Sequence, residues 1–241
     1  MTESEPAPGT VSPYLPPARG GVAEKLTRWK FGAAYRVWRR AIRRYAASGG
    51  ARRILEVGSG PGNFAACLER WFPDTQLTAL DLEDELVRYA AARAPSVGFI
   101  RASSQQIPLA SNSFDVVSAL QVIEHFQSPE DFLSEVARVL RPGGLLLVST
   151  PNTRGIGARL MGEAWQGIRD DHISLREPAS WRNALSDSGF ECISDGTTLF
   201  NGLPVIGRSP FSIPFLALQS AAGWFPWELG ESYMAVARLK A

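Results

Sequence analysis

The stretch Arg53-Ile54-Leu55-Glu56-Val57-Gly58-Ser59-Gly60-Pro61-Gly62 decides the fold. Its first five residues form a short, largely apolar run, and three glycines alternate with Ser59 and Pro61 directly after it. Residues 63–71 then read as a helix. A glycine-rich turn from strand to helix is where a nucleoside cofactor commonly sits, because glycine lets the backbone approach a ligand and adopt torsions closed to other residues. Taken alone, the same run also fits an ordinary tight turn, and both readings stand.

Working outward, residues 76–80 read as a strand ended by Asp81, about 20 residues beyond the glycines, where an acid can accept both hydroxyls of a ribose. Asp81 could equally cap the next helix, since Glu83 and Glu85 follow it. The spacing predicts a helix over 83–93, strands over 97–101 and 114–119, a helix over 129–140, a turn at Arg141-Pro142-Gly143-Gly144 and a strand over 145–149. Strands separated by helices of about 10–12 residues imply βαβ units and a parallel sheet covered on both faces. Such a chain is α/β and doubly wound, with ligands beyond the carboxyl ends of the strands. After Pro151 the pattern loosens: a loop-rich segment runs to about Glu177, a helix spans 178–188, and strands are predicted over 190–194 and 233–239.

The chain has 241 residues, of which 45% are hydrophobic and 20% charged, enough for one substantial domain and too apolar for wholesale disorder. No run of roughly 18 apolar residues occurs, so no spanning helix is expected. The polar, proline-containing start does not suggest a secretory signal. Cys67 and Cys192 are too few for a disulfide framework or a zinc site, so no metal is expected and a reducing, cytoplasmic setting is.

The net charge of +1 hides an asymmetry: residues 22–53 hold ten Lys or Arg against Glu24 alone. Residues 1–20 carry five prolines and read as a flexible leader. Residues 21–50 read as a basic helical element, with Leu26, Ala33, Val37, Ala41 and Tyr45 at helical spacing, Arg36, Arg40 and Arg44 in a row of their own, and Ser48-Gly49-Gly50 as its stop. Without an aromatic-interleaved reader module no nucleic acid partner is expected. Residues 199–227 contain a single charge, Arg208, among six aromatics and four prolines.

A dinucleotide oxidoreductase shows G-x-G-x-x-G, whereas these glycines fall as G-S-G-P-G and no Tyr-x-x-x-Lys follows. The phrases ILEVGSGPGNF (54–64), TALDLEDELVRYA (78–90), FDVVSALQVIEHF (114–126) and FLSEVARVLRPGGLLLVSTPN (132–152) closely resemble the successive motifs of class I S-adenosylmethionine-dependent methyltransferases, nearest to the small-molecule and ubiquinone or menaquinone group. The resemblance is strong over 53–152 and loose over 170–240. It implies a seven-stranded sheet of order 3-2-1-4-5-7-6 with the last strand antiparallel, spanning a domain over 51–241, and S-adenosylmethionine as cofactor.

By that resemblance Gly58, Gly60 and Gly62 form the loop beneath the methionine and ribose, and Glu56 holds the loop or the cofactor amino group. Asp81 takes the ribose hydroxyls, Leu82 packs on the adenine, and Leu120 and Gln121 meet the methionine amine. Ser103 stands where the family often has an Asp facing the adenine amino group, so its hydroxyl or the Ser104 amide would replace that contact. His125, in the Glu124-His125 ending, and His172, in a D-H-x-x-L segment, are candidate proton acceptors or loop anchors. Ala119-Leu120-Gln121-Val122 stands where enzymes methylating nitrogen of nucleic-acid bases carry an Asn or Asp-Pro-Pro-Tyr element, which disfavours that class.

The insertions over 153–177 and 199–229 would build the acceptor side. Phe200, Phe211, Phe215, Trp224, Phe225 and Trp227, joined by Trp165, would then wall a small apolar or aromatic acceptor methylated at oxygen or carbon. They could instead pack a subdomain core or a homodimer contact, or, with the basic helix, meet a membrane surface. A nicotinamide-dependent oxidoreductase and a non-catalytic, membrane-associated cofactor-binding protein are the alternative functions.

Overall fold

The computed structural model describes residues 12, 14, 32–47, 51–165, 167–198 and 225–241. Most of the leader, the first half of the basic element, its Ser48-Gly49-Gly50 stop and residues 199–224 of the apolar segment lie outside the described residues, with Phe200, Phe211, Phe215 and Trp224 among them.

Helix α1 (Gly32–Ala47) precedes strand β1 (Arg53–Val57), and α2 (Ala65–Trp71), β2 (Gln76–Asp81), α3 (Asp84–Ala91) and β3 (Gly98–Arg101) follow. Then come β4 (Phe114–Leu120), a 3-10 turn (Ile123–His125), α4 (Pro129–Val139), β5 (Leu140–Pro151), α5 (Ile156–Met161), α6 (Pro178–Asp187), β6 (Phe190–Thr197) and β7 (Ser232–Leu239). The strands form one seven-stranded sheet of order β3-β2-β1-β4-β5-β7-β6. β1 to β5 run parallel, and β7 lies antiparallel between β5 and β6. That is the expected topology.

Alternation of side chains splits the core into two layers, one on each sheet face. Leu55, Val57, Val117, Ala119, Leu146, Val148, Tyr233 and Ala235 face one layer with α4 and α6. Ile54, Val116, Leu145, Leu147, Met234 and Val236 face the other with α1 and α2. A slip of one residue in any central strand would exchange the layers, so burial on both faces fixes the register.

The basic helix belongs to this core. Tyr35, Trp38 and Ile42 are buried and Ala41 and Tyr45 partly so, while Arg36, Arg40, Arg43 and Arg44 are exposed. The centre of its buried stripe is thus Trp38 and Ile42, one position along from the spacing read in the sequence. Phe64 meets both Tyr35 (ring centroids 4.8 Å) and Trp38 (5.5 Å), and the Arg39 guanidinium lies 5.2 Å above Trp71. The arginines ride on a helix that its apolar face anchors.

The turn expected at Arg141-Pro142-Gly143-Gly144 is instead part of β5. Leu140 already pairs with Phe114, and the next partners are Leu145 and Val116, so five residues of one strand pass two of the other. Such a bulge needs special backbone geometry, and Gly143 supplies a φ of +78°. Arg141 reaches back to Asp115, Nη1 to Oδ1 at 2.7 Å, and Asp115 Oδ2 accepts the amides of Arg52 and Arg53 at the start of β1. The segment after Pro151, expected to be loop-rich, contains α5, and β6 runs on to Thr197. No described helix is long and apolar enough to cross a membrane.

Candidate active site

Register places the site. Val57 pairs with Leu80 on one side and Ala119 on the other, and Leu120 pairs with Ser149. The residues next after these pairs, Gly58, Asp81 and Gln121, therefore share the carboxyl edge of the sheet, where α/β folds bind ligands.

Gly58, Gly60 and Gly62 all have positive φ (+64°, +51° and +72°). Two of them also face close neighbours. A Cβ on Gly58 would stand 2.4 Å from Val122 Cγ2, and one on Gly62 would stand 2.7 Å from Ala90 Cβ. Gly60 differs, with nothing within 4 Å of that position among the described residues, so its torsion leaves backbone uncovered by them. Its amide donates to Asp81 Oδ2 at 2.7 Å, while the Glu83 amide donates to Asp81 Oδ1 at 3.1 Å. Asp81 thus fastens the glycine loop and the start of α3 together.

Glu56 lies buried at the end of β1, and its Oε2 has no partner among the described residues. Burial, the negative charge of Asp81 and one favourable amide, Ala65, leave its carboxyl well above the usual carboxylate range. A positively charged ligand with a vicinal diol answers this set: an orphaned buried acceptor, a second carboxylate and a stretch of bare backbone. S-adenosylmethionine carries an ammonium, a sulfonium and a ribose, and the residues fit it.

The remaining candidate binding residues lie along the same edge. Leu82 is half-buried, and its carbonyl accepts Arg101 Nε at 3.2 Å. Ala102 donates to the Asp81 carbonyl at 3.0 Å, which holds Ser103 and the buried Ser104 beside that loop. Ser103 Oγ accepts the Gln105 amide at 3.2 Å. Leu120 is partly exposed at the end of β4. Gln121 takes a φ of +55°, and its amide and Nε2 bond the Ser149 carbonyl (2.8 Å) and hydroxyl (3.2 Å). A non-glycine residue in that region costs of order 1 kcal/mol, and such outliers cluster at ligand sites.

The two histidines meet although 47 positions separate them in the chain. Their rings stand 4.9 Å apart and edge-on. His125 Nδ1 lies 2.9 Å from the Asp171 carbonyl and His172 Nδ1 lies 2.8 Å from the Gly167 carbonyl. A carbonyl only accepts, so both Nδ1 atoms carry a proton, and Nε2 is the ring nitrogen that can offer a lone pair. Burial lowers the His172 pKa below its ordinary value. Glu124, fully buried beside them, has both carboxyl oxygens without a hydrogen-bond partner among the described residues, and burial pushes it up to about 8.

Sequence reasoning did not find the support of this cluster. Asp171 is partly buried, which opposes its charge, yet bonds from Arg169 and Tyr14 hold it below the usual carboxylate range. Tyr14 belongs to the stretch read as a flexible leader, and its hydroxyl bonds Asp171 and accepts Arg169 Nη2 at 2.9 Å. Nothing in the local sequence signals that pairing. Trp165, expected on an acceptor wall, is buried, and its Nε1 donates to Glu231 Oε2 at 2.8 Å, fastening the insertion to the start of β7. Phe225 and Trp227 do lie together, ring centroids 5.3 Å apart, with Trp227 well exposed.

A family model described as a methyltransferase domain matches residues 29–195. A protein of Mycobacterium tuberculosis named a "probable S-adenosylmethionine-dependent methyltransferase" is 42% identical over 105 residues, covering 42% of this chain and 36% of the relative. The chain thus spans about a third of that relative's length. A fatty-acid O-methyltransferase of Mycolicibacterium smegmatis is 35% identical over 105 residues, covering 43% of this chain and 38% of the relative. The crystal structure of an S-adenosylmethionine-dependent methyltransferase from Mesorhizobium loti superposes with a TM-score of 0.61 at 19% identity, covering 83% of this chain and 96% of that one. The sheet order, the carboxyl-edge cradle and the extent of the family match agree, and the chain belongs to the class I S-adenosylmethionine-dependent methyltransferases.

Proposed function

We propose that this chain transfers a methyl group from S-adenosylmethionine to oxygen or carbon of a small, largely apolar or aromatic acceptor. The observation that carries the cofactor half is the Glu56 and Asp81 pair across the bare Gly60 backbone. Glu56 would meet the cationic amino acid end, Asp81 the ribose, Ser103 and Ser104 the adenine edge, and Gln121 the methionine amine. The cofactor supplies a methyl on a sulfonium, and displacement in line with the departing sulfur relieves that charge. What the protein must do is hold donor and acceptor in line and exclude water, and alignment of this kind accounts for much of the rate in such reactions.

The acceptor half rests on what flanks His172. Ile168 and Ile173 are exposed on the loop that carries it. Exposed apolar groups beside an uncharged imidazole suit an acceptor with an apolar body and one ionisable oxygen or acidic carbon. His172 Nε2, or His125 Nε2, would accept the proton such an acceptor loses. The fatty-acid O-methyltransferase relative acts on a substrate of that kind. The nicotinamide and non-catalytic readings gain nothing from the relatives described above, which are all named methyltransferases.

Calorimetry with S-adenosylhomocysteine tests the cofactor half. Asp81→Ala removes an acceptor of charge-assisted hydrogen bonds, each worth about 1.5–3 kcal/mol, so Kd should rise roughly 10- to 100-fold. Equal binding by both proteins, or by neither, overturns the assignment. Transfer of labelled methyl into a panel of fatty acids, phenols and quinones tests the acceptor half.

A further inference from the structure

The Glu124, His125 and His172 side chains do more than the cofactor cradle requires. One ligand atom from each lies within 4.8 Å of the others. Donor atoms on a cation at about 2.0–2.2 Å stand at most about 4.4 Å apart, so the three atoms lie within a few tenths of an ångström of a coordination sphere. Both imidazoles are already prepared as ligands. A metal-bound histidine characteristically donates its other ring N–H to a carbonyl or carboxylate, which fixes tautomer and orientation. Here Asp171 O and Gly167 O accept from Nδ1 at 2.9 and 2.8 Å, which leaves Nε2 of each ring as the nitrogen to face a cation.

Glu124 supplies the independent observation. Its side chain is fully buried, and neither oxygen makes a well-formed hydrogen bond among the described residues, although the Thr150 hydroxyl and its own amide lie close enough to favour its charge. A buried carboxylate left so is strongly unfavourable unless a proton or a cation compensates it. The backbone around it is well fixed, since the Ser174 amide donates to the Glu124 carbonyl at 3.0 Å. That bond ties the loop carrying His172 to the 3-10 turn carrying His125. The cluster is therefore held in place through backbone carbonyls, with one candidate ligand atom from each of the three side chains within 4.8 Å of the others.

We infer that Glu124, His125 and His172 bind one divalent first-row transition-metal cation. Two neutral imidazoles and one carboxylate suit zinc and its neighbours, whereas magnesium prefers oxygen ligands and retains its waters. With three protein ligands, positions remain open on the cation for an oxygen of the acceptor, which it would polarise and help deprotonate. That use in turnover rests on the acceptor reading above; the binding itself does not.

Zinc titration of the chelator-treated full chain, followed by calorimetry, tests it. One equivalent should bind, His125→Ala and His172→Ala should each weaken zinc at least 10-fold, and magnesium should bind far more weakly than zinc. S-adenosylhomocysteine affinity in the same samples should change by less than about threefold, which shows that the variants fold. Cobalt should give visible d–d absorption in the wild type that both variants lose. No saturable zinc site, unchanged zinc affinity in the variants, or magnesium binding as tight as zinc overturns the proposal. Should an alanine variant also lose S-adenosylhomocysteine, Glu124→Gln decides, because undiminished zinc binding by that near-isosteric protein overturns the site. Zinc binding by a wild type that ignores S-adenosylhomocysteine would instead uphold the metal site and sink the methyltransferase reading.

Discussion

The two halves of the site are built by different means. The cofactor cradle over 56–62 and 81–83 is made of backbone torsions, strand ends and two carboxylates, all within 30 residues of chain. The histidine side is assembled from Tyr14, Glu124, His125, Gly167, Arg169, Asp171 and His172, joined across as many as 157 positions by side-chain bonds. A site made of torsions and strand ends has little freedom to vary. One made of distant side-chain pairs can be rebuilt by changing any partner, and that suits the half proposed to choose the acceptor.

If the cradle depends on backbone, a single methyl-bearing side chain should damage it most. Gly58→Val places its Cβ where Val122 Cγ2 is 2.4 Å away and asks a β-branched residue to hold a φ of +64°. Overpacking costs about 1–3 kcal/mol and the left-handed conformation about 1–2 more, so denaturant unfolding should show a loss of several kcal/mol. S-adenosylhomocysteine binding should vanish with it. Wild-type stability in this variant would mean that the loop relaxes, and the contrast between the halves would fail.

Trp165→Phe probes the other half. It leaves Glu231, whose Oε1 already lacks a partner among the described residues, without the indole donor at Oε2 as well. Stability should fall by about 1–3 kcal/mol while cofactor affinity holds. A matching loss of cofactor affinity would show that the insertion and the cradle are one unit.

The sequence was informative in proportion to how local each feature is. β1 and its glycines, Asp81 and the alternation through β4 and β5 are short-range patterns, and the topology follows from them. The Arg141-Pro142-Gly143-Gly144 turn was misread because Gly-rich composition marks a bulge as readily as a reversal, and only pairing with β4 tells them apart. α5 was hidden because six residues carry too little periodicity. Trp165 looked like a ligand wall because an aromatic's hydrogen-bond partner, Glu231, lies 66 residues away. Tyr14 had no signal at all.

Glu56→Gln separates binding from stability within the cradle. The folded-state pKa of Glu56 lies above its unfolded value, so ionising it opposes folding. Its contribution is harmless at low pH and turns unfavourable as pH rises from the unfolded value through the folded one. Thermal melts of the ligand-free proteins should therefore show wild type losing ground to Glu56→Gln between pH 5 and pH 8. Cofactor affinity should move the opposite way, because the glutamine cannot balance a positive charge. A variant that is no more stable at pH 8 than wild type would locate the strain elsewhere.

Tyr14→Phe should have the smallest effect, and it addresses the distant support directly. The hydroxyl bonds Asp171 and accepts Arg169 Nη2, both in an exposed setting, so its removal should cost under about 1 kcal/mol of stability. Arg169 still holds Asp171 through Nε at 2.8 Å, and the His125 Nδ1 bond goes to the Asp171 backbone, which the substitution does not touch. Cofactor affinity should be unchanged. The effect should instead fall on the acceptor: if Tyr14 steadies the loop between Gly167 and His172, KM for the acceptor rises a few-fold with kcat nearly constant. A fall in kcat at constant KM would place Tyr14 against the reacting groups and make the leader part of the active site proper.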